Sequence, residues 1–180
     1  MGFVDAMDTI LGQVPRPRQV ALFSATLPPP IRRIAQRHLA DPQEVIIRSK
    51  TTTATNTRQR YWLVSGLHKL DALTRILEVE PFDAMLVFAR TKQTTVELAE
   101  RLAARGFAAA PLNGDLQQAQ RERTIAQLKN GKIDILVATD VAARGLDQAD
   151  LGLVIHAELP LNRACLLHRS GRTGRAGKKG

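Results

Sequence analysis

Residues 85–89 read Met-Leu-Val-Phe-Ala and are closed abruptly by Arg90 and Thr91. Five apolar residues in a row suit a strand buried on both faces. Upstream, Leu70, Leu73, Ile76 and Leu77 fall on one helix face within residues 67–79, with Asp71 and Arg75 at i,i+4 and Pro81 as the stop. Downstream, Thr91 is placed to cap a helix that buries Val96, Ala99, Leu102 and Ala103 and ends at Gly106. A strand at 108–112, a helix from about Gln118 to Asn130, and strands at 133–139 and 153–159 continue the series, and residues 59–65 read as a strand ahead of it. Strands alternating with helices at this spacing predict βαβ units: an α/β fold with a parallel sheet and helices on both faces.

Residues 1–47 differ. They predict a helix at 4–14, a strand at 19–23, a helix after three prolines at 31–39 and a strand at 44–47. Two strands do not make a stable layer. Residues 48–58 are polar, Thr-rich and aperiodic, the pattern of an exposed linker. The expected organisation is therefore the tail of one domain (1–47), a linker (48–58) and most of a second domain (59–180), that is, a piece of a longer protein.

Composition narrows the classes. The chain has 180 residues, 44% hydrophobic and 24% charged, as in an ordinary soluble domain, which excludes an acidic disordered tail or a collagen. One cysteine, Cys165, excludes a disulfide framework and fits a reducing compartment, so a cytoplasmic location is expected. Apolar runs are far shorter than the roughly 20 residues that span a bilayer, so no membrane partner is expected. The net charge of +9 is unevenly spread: residues 1–60 carry +5, residues 61–160 carry −2 and residues 161–180 carry +6. Concentrated basic charge points to a polyanion or to a tail.

In an open parallel sheet, ligands bind beyond the carboxyl ends of the strands. Arg90-Thr91, Asn113-Gly114-Asp115, Thr139-Asp140, and His156 with Glu158 all fall there. Gly114 would let a backbone N–H approach a phosphate, and Asn113-Gly114 equally fits a tight turn. Gln118 and Arg121 open the next helix, whose N-terminus favours anions. Arg169, Arg172 and Arg175, spaced three apart among glycines and hydroxyls, suit a phosphoryl group or a flexible basic tail. Residues 171–179 do not have P-loop spacing, since five residues separate Gly171 from Gly177 and Lys178 precedes Lys179. The four histidines show no metal-ligand spacing, and Cys165 reads as a packed small residue ahead of a helix.

Together these residues resemble the DEAD-box RNA helicases of superfamily 2. Ser24-Ala25-Thr26 looks like motif III, Val87 to Thr91 like motif IV, Leu112 to Asp115 with Gln118 and Arg121 like motif IVa and the QxxR element, Ala138 to Asp147 like motif V, and His168 to Arg175 like motif VI. Residues 1–147 resemble in particular the bacterial cold-shock, DeaD-like branch. The resemblance implies two RecA-like domains, of which this chain holds the end of the first and a truncated second. It implies ATP with Mg2+ as cofactor, bound mainly by an absent first domain, because the Q motif, P-loop and DEAD carboxylates are not in this sequence. Asp147 would bind the ribose, and Arg172 and Arg175 would be arginine fingers. Arg90, Thr91, Gly114, Gln118, Arg121 and Thr139 would hold the RNA backbone. Ser24, Thr26 and His168 would couple the two sites. The implied activity is ATP-dependent local unwinding of RNA duplexes, with the chain alone inactive and with the ribosome or RNA-degradation machinery as candidate partners. Glu158 stands where the family commonly has Asp, and Ser170 where Ile is commoner. Two other readings fit the residues: a non-enzymatic RNA-binding or chaperone module, and a DNA-directed superfamily 2 helicase.

Overall fold

Alternation of side chains along short strands decides the architecture of residues 49–180. The structure, a computed structural model, describes residues 4–24, 27–47, 56–65, 68–146, 151–174 and 178–180. Its contacts divide the chain into two units, residues 1–48 and 49–180. In the second, β1 (Met85–Phe88), β2 (Ala109–Leu112), β3 (Ile135–Ala138) and β4 (Leu153–His156) form one sheet in the order β2-β3-β1-β4, with every neighbour parallel. Every residue of β1 and β3 is buried, which is why both read as unbroken apolar runs.

The two faces separate by residue parity. Met85, Val87, Ile135 and Val137 join Leu73 and Leu77 of α3 (Lys69–Val79) and Ala99 and Leu102 of α4 (Lys92–Ala103). Leu86, Phe88, Leu136 and Ala138 join Leu128 of α5 (Gln118–Lys129) and the loop residues Ala142, Ala143 and Leu146. Each fully buried aliphatic side chain contributes about 1.5–3 kcal/mol. The predicted parallel sheet with helices on both faces is what forms.

Local signals set the helix ends. Thr91 caps α4 as expected, its Oγ1 accepting the Thr94 N–H at 3.0 Å. Gln117 and Gln120 form a reciprocal capping box at α5. A helix that apolar spacing does not reveal, α6 (Arg163–Ser170), starts at Asn162, whose Oδ1 accepts the Cys165 N–H at 2.9 Å. Cys165 is thus inside the first turn of this helix rather than ahead of it.

Three predicted strands are not strands. Residues 19–23, 44–47 and 59–65 carry no ladder, and Phe23, Ile47 and Leu63 are 93%, 93% and 94% exposed. A strand needs a neighbour for its N–H and C=O groups, and among the described residues none pairs with these segments. Of the expected linker, residues 48–55 lie outside the described residues. Beyond them, the Gly180 N–H donates to Asn56 O at 3.0 Å and the Arg58 N–H to Gly180 O at 2.7 Å.

In the first unit, α1 (Val4–Gln13) and α2 (Pro29–His38) are joined by Asp8, which accepts from His38 Nε2 at 2.5 Å and Arg37 Nη1 at 2.6 Å. Met7, Leu11, Val20 and Ile34 line an apolar cavity of about 240 Å3 between them. No helix among the described residues is long and apolar enough to cross a membrane.

Candidate functional site

Parallel pairing delivers four loops to one edge. Phe88 is in register with Ala138 and His156, and Leu112 with Ala138. The residues that follow, 89–91, 113–115, 139–140 and 157–158, therefore leave the sheet side by side. Arg90, Thr91, Gly114 and Thr139, picked out from sequence, all stand on this edge.

The loop after β2 is held by a side chain. Asn113, 4% exposed, donates from Nδ2 to Thr95 Oγ1 at 2.9 Å and Lys92 O at 3.3 Å, and its Oδ1 accepts the Asp115 N–H at 3.0 Å. This fastens the loop to the start of α4, and a Lys92–Asp115 ion pair closes it on the outside. Gly114 is required neither by a positive φ nor by packing, since a Cβ there would meet only the flexible end of Lys92, at 3.4 Å. Gln118, the first residue of α5, donates from Nε2 to Glu122 Oε1 at 2.8 Å. Arg121, one turn on, donates from Nη2 to Ala142 O at 2.5 Å and Arg144 O at 3.2 Å. It straps down the loop that leaves β3. In that loop Thr139 Oγ1 accepts the Ala142 N–H at 3.3 Å.

A buried guanidinium ties the loops together. Arg169, 3% exposed, donates from Nε and Nη2 to the two carboxylate oxygens of Asp140, each at 2.7 Å, and from Nη1 to Glu158 O at 2.9 Å. Its Cζ lies 4.9 Å from the centre of the Phe88 ring. Bidentate pairing with a carboxylate uses the planar fork that only arginine has. The Arg169 hydrogen bond, with its positive charge, holds the Asp140 carboxyl below the ordinary carboxylate range against the opposing effect of burial. His156 stacks on Phe88 with ring centres 6.0 Å apart, and its buried Nδ1 has no hydrogen-bond partner. Burial, followed by the Arg169 charge, lowers its pKa, and Asp140 opposes them.

The folded state therefore favours neutral His156. Its contribution is fully present above the unfolded value of 6.5 and is lost as pH falls below it. Denaturation midpoints of the wild type should fall between pH 7 and pH 5, and His156→Asn should flatten that decline. An unchanged slope in the variant would contradict this reading.

In the basic run at the C-terminal side, Arg172 and Thr173 are held by hydrogen bonds to residues 146, 151 and 169. The Arg172 N–H donates to Arg169 O at 3.0 Å and its Nη1 to Leu146 O at 3.4 Å. Thr173 Oγ1 donates to Leu151 O at 2.5 Å, and Gly174 takes the left-handed φ of +67°. His168 is exposed in the last turn of α6. Ser24 is exposed and belongs to the first unit. Thr26, Asp147 and Arg175 lie outside the described residues. Sequence reasoning missed Arg169, Asp140, His156 and Glu158 as one cluster. The available signal was an acid directly after a strand and an arginine with no nearby acid on its own helix. Among the described residues no group of three His, Cys, Asp or Glu is placed to hold a metal.

Comparison with known proteins gives consistent results. The helicase conserved C-terminal domain matches residues 68–177. The chain is 56% identical over 174 residues to the ATP-dependent RNA helicase DeaD of Mycobacterium tuberculosis, covering 97% of this chain and 31% of that protein. It is 51% identical over 172 residues to the Escherichia coli protein of the same name, covering 96% and 27%. The chain thus spans 31% and 27% of the length of these two curated relatives. Saccharomyces cerevisiae Dbp5 bound to RNA and ADP BeF3 superposes with a TM-score of 0.88 at 29% identity, covering all of this chain and 48% of that one. A DEAD box protein from Methanococcus jannaschii superposes with a TM-score of 0.67 at 43% identity, again over 100% and 48%.

Proposed function

Since this chain belongs to the DEAD-box RNA helicases and carries their conserved C-terminal domain, we propose that it works as half of a split ATPase that grips RNA by its backbone and separates duplexes locally. The observation that carries this is the shared edge. Arg90, Thr91, Gly114 and Thr139 emerge in register from adjacent parallel strands, and Arg172 is fastened to the loop that starts at Thr139. In this reading residues 1–47 are the end of a first RecA-like domain and residues 59–180 most of the second.

Nucleic-acid backbone is a row of anions without sequence information, so Arg, Thr hydroxyls and backbone N–H groups suffice to hold it. Arg90, Thr91, Gly114, Gln118, Arg121 and Thr139 take that role. Gly114 supports it, because nothing inside the protein requires a glycine there and a phosphate approaching the loop would. The aromatic ring at the end of β1 supports it too: Phe88 is 1% exposed, with His156 and Arg169 against it, and offers no face for base stacking.

ATP with Mg2+ supplies the phosphoryl group and the metal charge. The residues of this chain fit only part of it. Arg172 can meet spread negative charge with a forked donor, while among the described residues no group of three His, Cys, Asp or Glu is placed to hold the metal, which the upstream half would hold. Arg172 and Arg175 serve as fingers, Asp147 meets the ribose, and Ser24, Thr26 and His168 link the sites. Fingers carried on a separate domain make hydrolysis wait for closure, and RNA spanning both domains favours closure. ATPase assays of the full-length protein with RNA or DNA of one sequence test the proposal. RNA should stimulate hydrolysis and DNA should not. Equal stimulation would favour a DNA-directed helicase, and hydrolysis in neither case a chaperone.

A further inference from the structure

We propose that Glu158 is a positioning residue of the RNA-gripping edge, a role that rests on the function proposed above. Its carboxylate Oε2 accepts the backbone N–H of Arg90 at 2.6 Å, a charge-assisted hydrogen bond that joins segments 68 residues apart. Residue 158 is itself fixed from two sides. The Ala157 N–H donates to Phe88 O at 3.1 Å, which carries the β1–β4 ladder past the end of β4. The Glu158 carbonyl accepts from Arg169 Nη1 at 2.9 Å. Arg169 is anchored in turn on Asp140, next to Thr139. Glu158 thus sets where Arg90 and Thr91 stand relative to Thr139.

A carboxylate on an edge built to hold phosphates would repel them if it did nothing else. This gives two opposite expectations. As an incidental surface charge, Glu158 would weaken RNA binding, so removing the charge would tighten it. As a positioning group, its oxygen matters and its charge matters less.

The test compares Glu158→Ala and Glu158→Gln in the full-length helicase, with single-stranded oligouridylate as the RNA. Glu158→Ala should raise the RNA concentration that half-saturates ATPase about tenfold, the effect of one lost charge-assisted hydrogen bond. The rate at saturating RNA and the KM for ATP should stay within about twofold. Glu158→Gln keeps an acceptor oxygen and should stay close to wild type. Both variants binding RNA as tightly as wild type, or more tightly, would overturn the proposal. Amide exchange at Arg90 is independent of any variant: a protected N–H in the wild type supports the bond, and a rapidly exchanging one overturns it. A wild type whose ATPase does not respond to RNA would instead bring down the underlying functional reading.

Discussion

Replacing Arg172 with alanine in the full-length helicase should lower RNA-stimulated ATP hydrolysis by about a hundredfold or more. Phosphoryl transfer spreads negative charge over several oxygens, and an arginine finger is worth about 10³–10⁵ in rate, roughly 4–7 kcal/mol. The expected loss is specific to the side chain. The segment around Arg172 is held by Thr173 on Leu151 O and by the Arg172 N–H on Arg169 O, so its backbone is placed without help from the Arg172 side chain. Loss of that side chain should therefore leave the unit folded. The rate should fall at saturating RNA and ATP, with RNA affinity in the ATP-free state little changed. Arg172→Lys should recover little, because a point charge lacks the planar fork. Near-normal turnover in Arg172→Ala would refute the finger role.

The second large effect concerns stability. Asp140→Ala should cost the C-terminal unit about 3 kcal/mol, since it leaves the buried Arg169 guanidinium without its counter-charge. Its melting midpoint should drop by roughly 10 °C. Arg169→Leu should cost clearly less. The Asp140 side chain is 36% exposed, so water can solvate the carboxylate that this change leaves behind, and leucine keeps part of the contact with Phe88. Equal losses in the two variants would contradict the idea that the guanidinium, not the carboxylate, is the stranded partner. The pair also has its own acid window. With a folded pKa below the ordinary 3.8, Asp140 contributes stability that is present above 3.8 and lost as pH falls through its lower folded value. That window lies well below the one set by His156.

Much of the architecture was legible because its signals are local. The apolar runs at 85–88 and 135–138, the one-sided spacing of Leu73 and Leu77, the Thr91 cap and the polar residues after each strand are all readable within a few positions. Residues 19–23, 44–47 and 59–65 were misread for the complementary reason. Their composition is that of strands, but a ladder is a property of two segments, and these have no neighbour among the described residues. The helix expected after Cys165 starts earlier, at Arg163, because a polar cap, Asn162, sets its first turn and apolar periodicity does not.

Between residues 67 and 156 the sequence by itself determined the order of elements, the parallel sheet and the edge on which the chemistry falls, because hydrophobic period and chain direction suffice for those. Residue type and spacing alone could not tell Arg169 from Arg172, which share the same spacing and similar neighbours. Only the tertiary structure decided that one is buried in a fork with Asp140 and the other reaches the Leu146 carbonyl. The reason is physical: the role of a guanidinium depends on which carboxylates, carbonyls and rings surround it. Here those come from residues 88, 140, 146 and 158, brought to Arg169 and Arg172 by the folding of the chain.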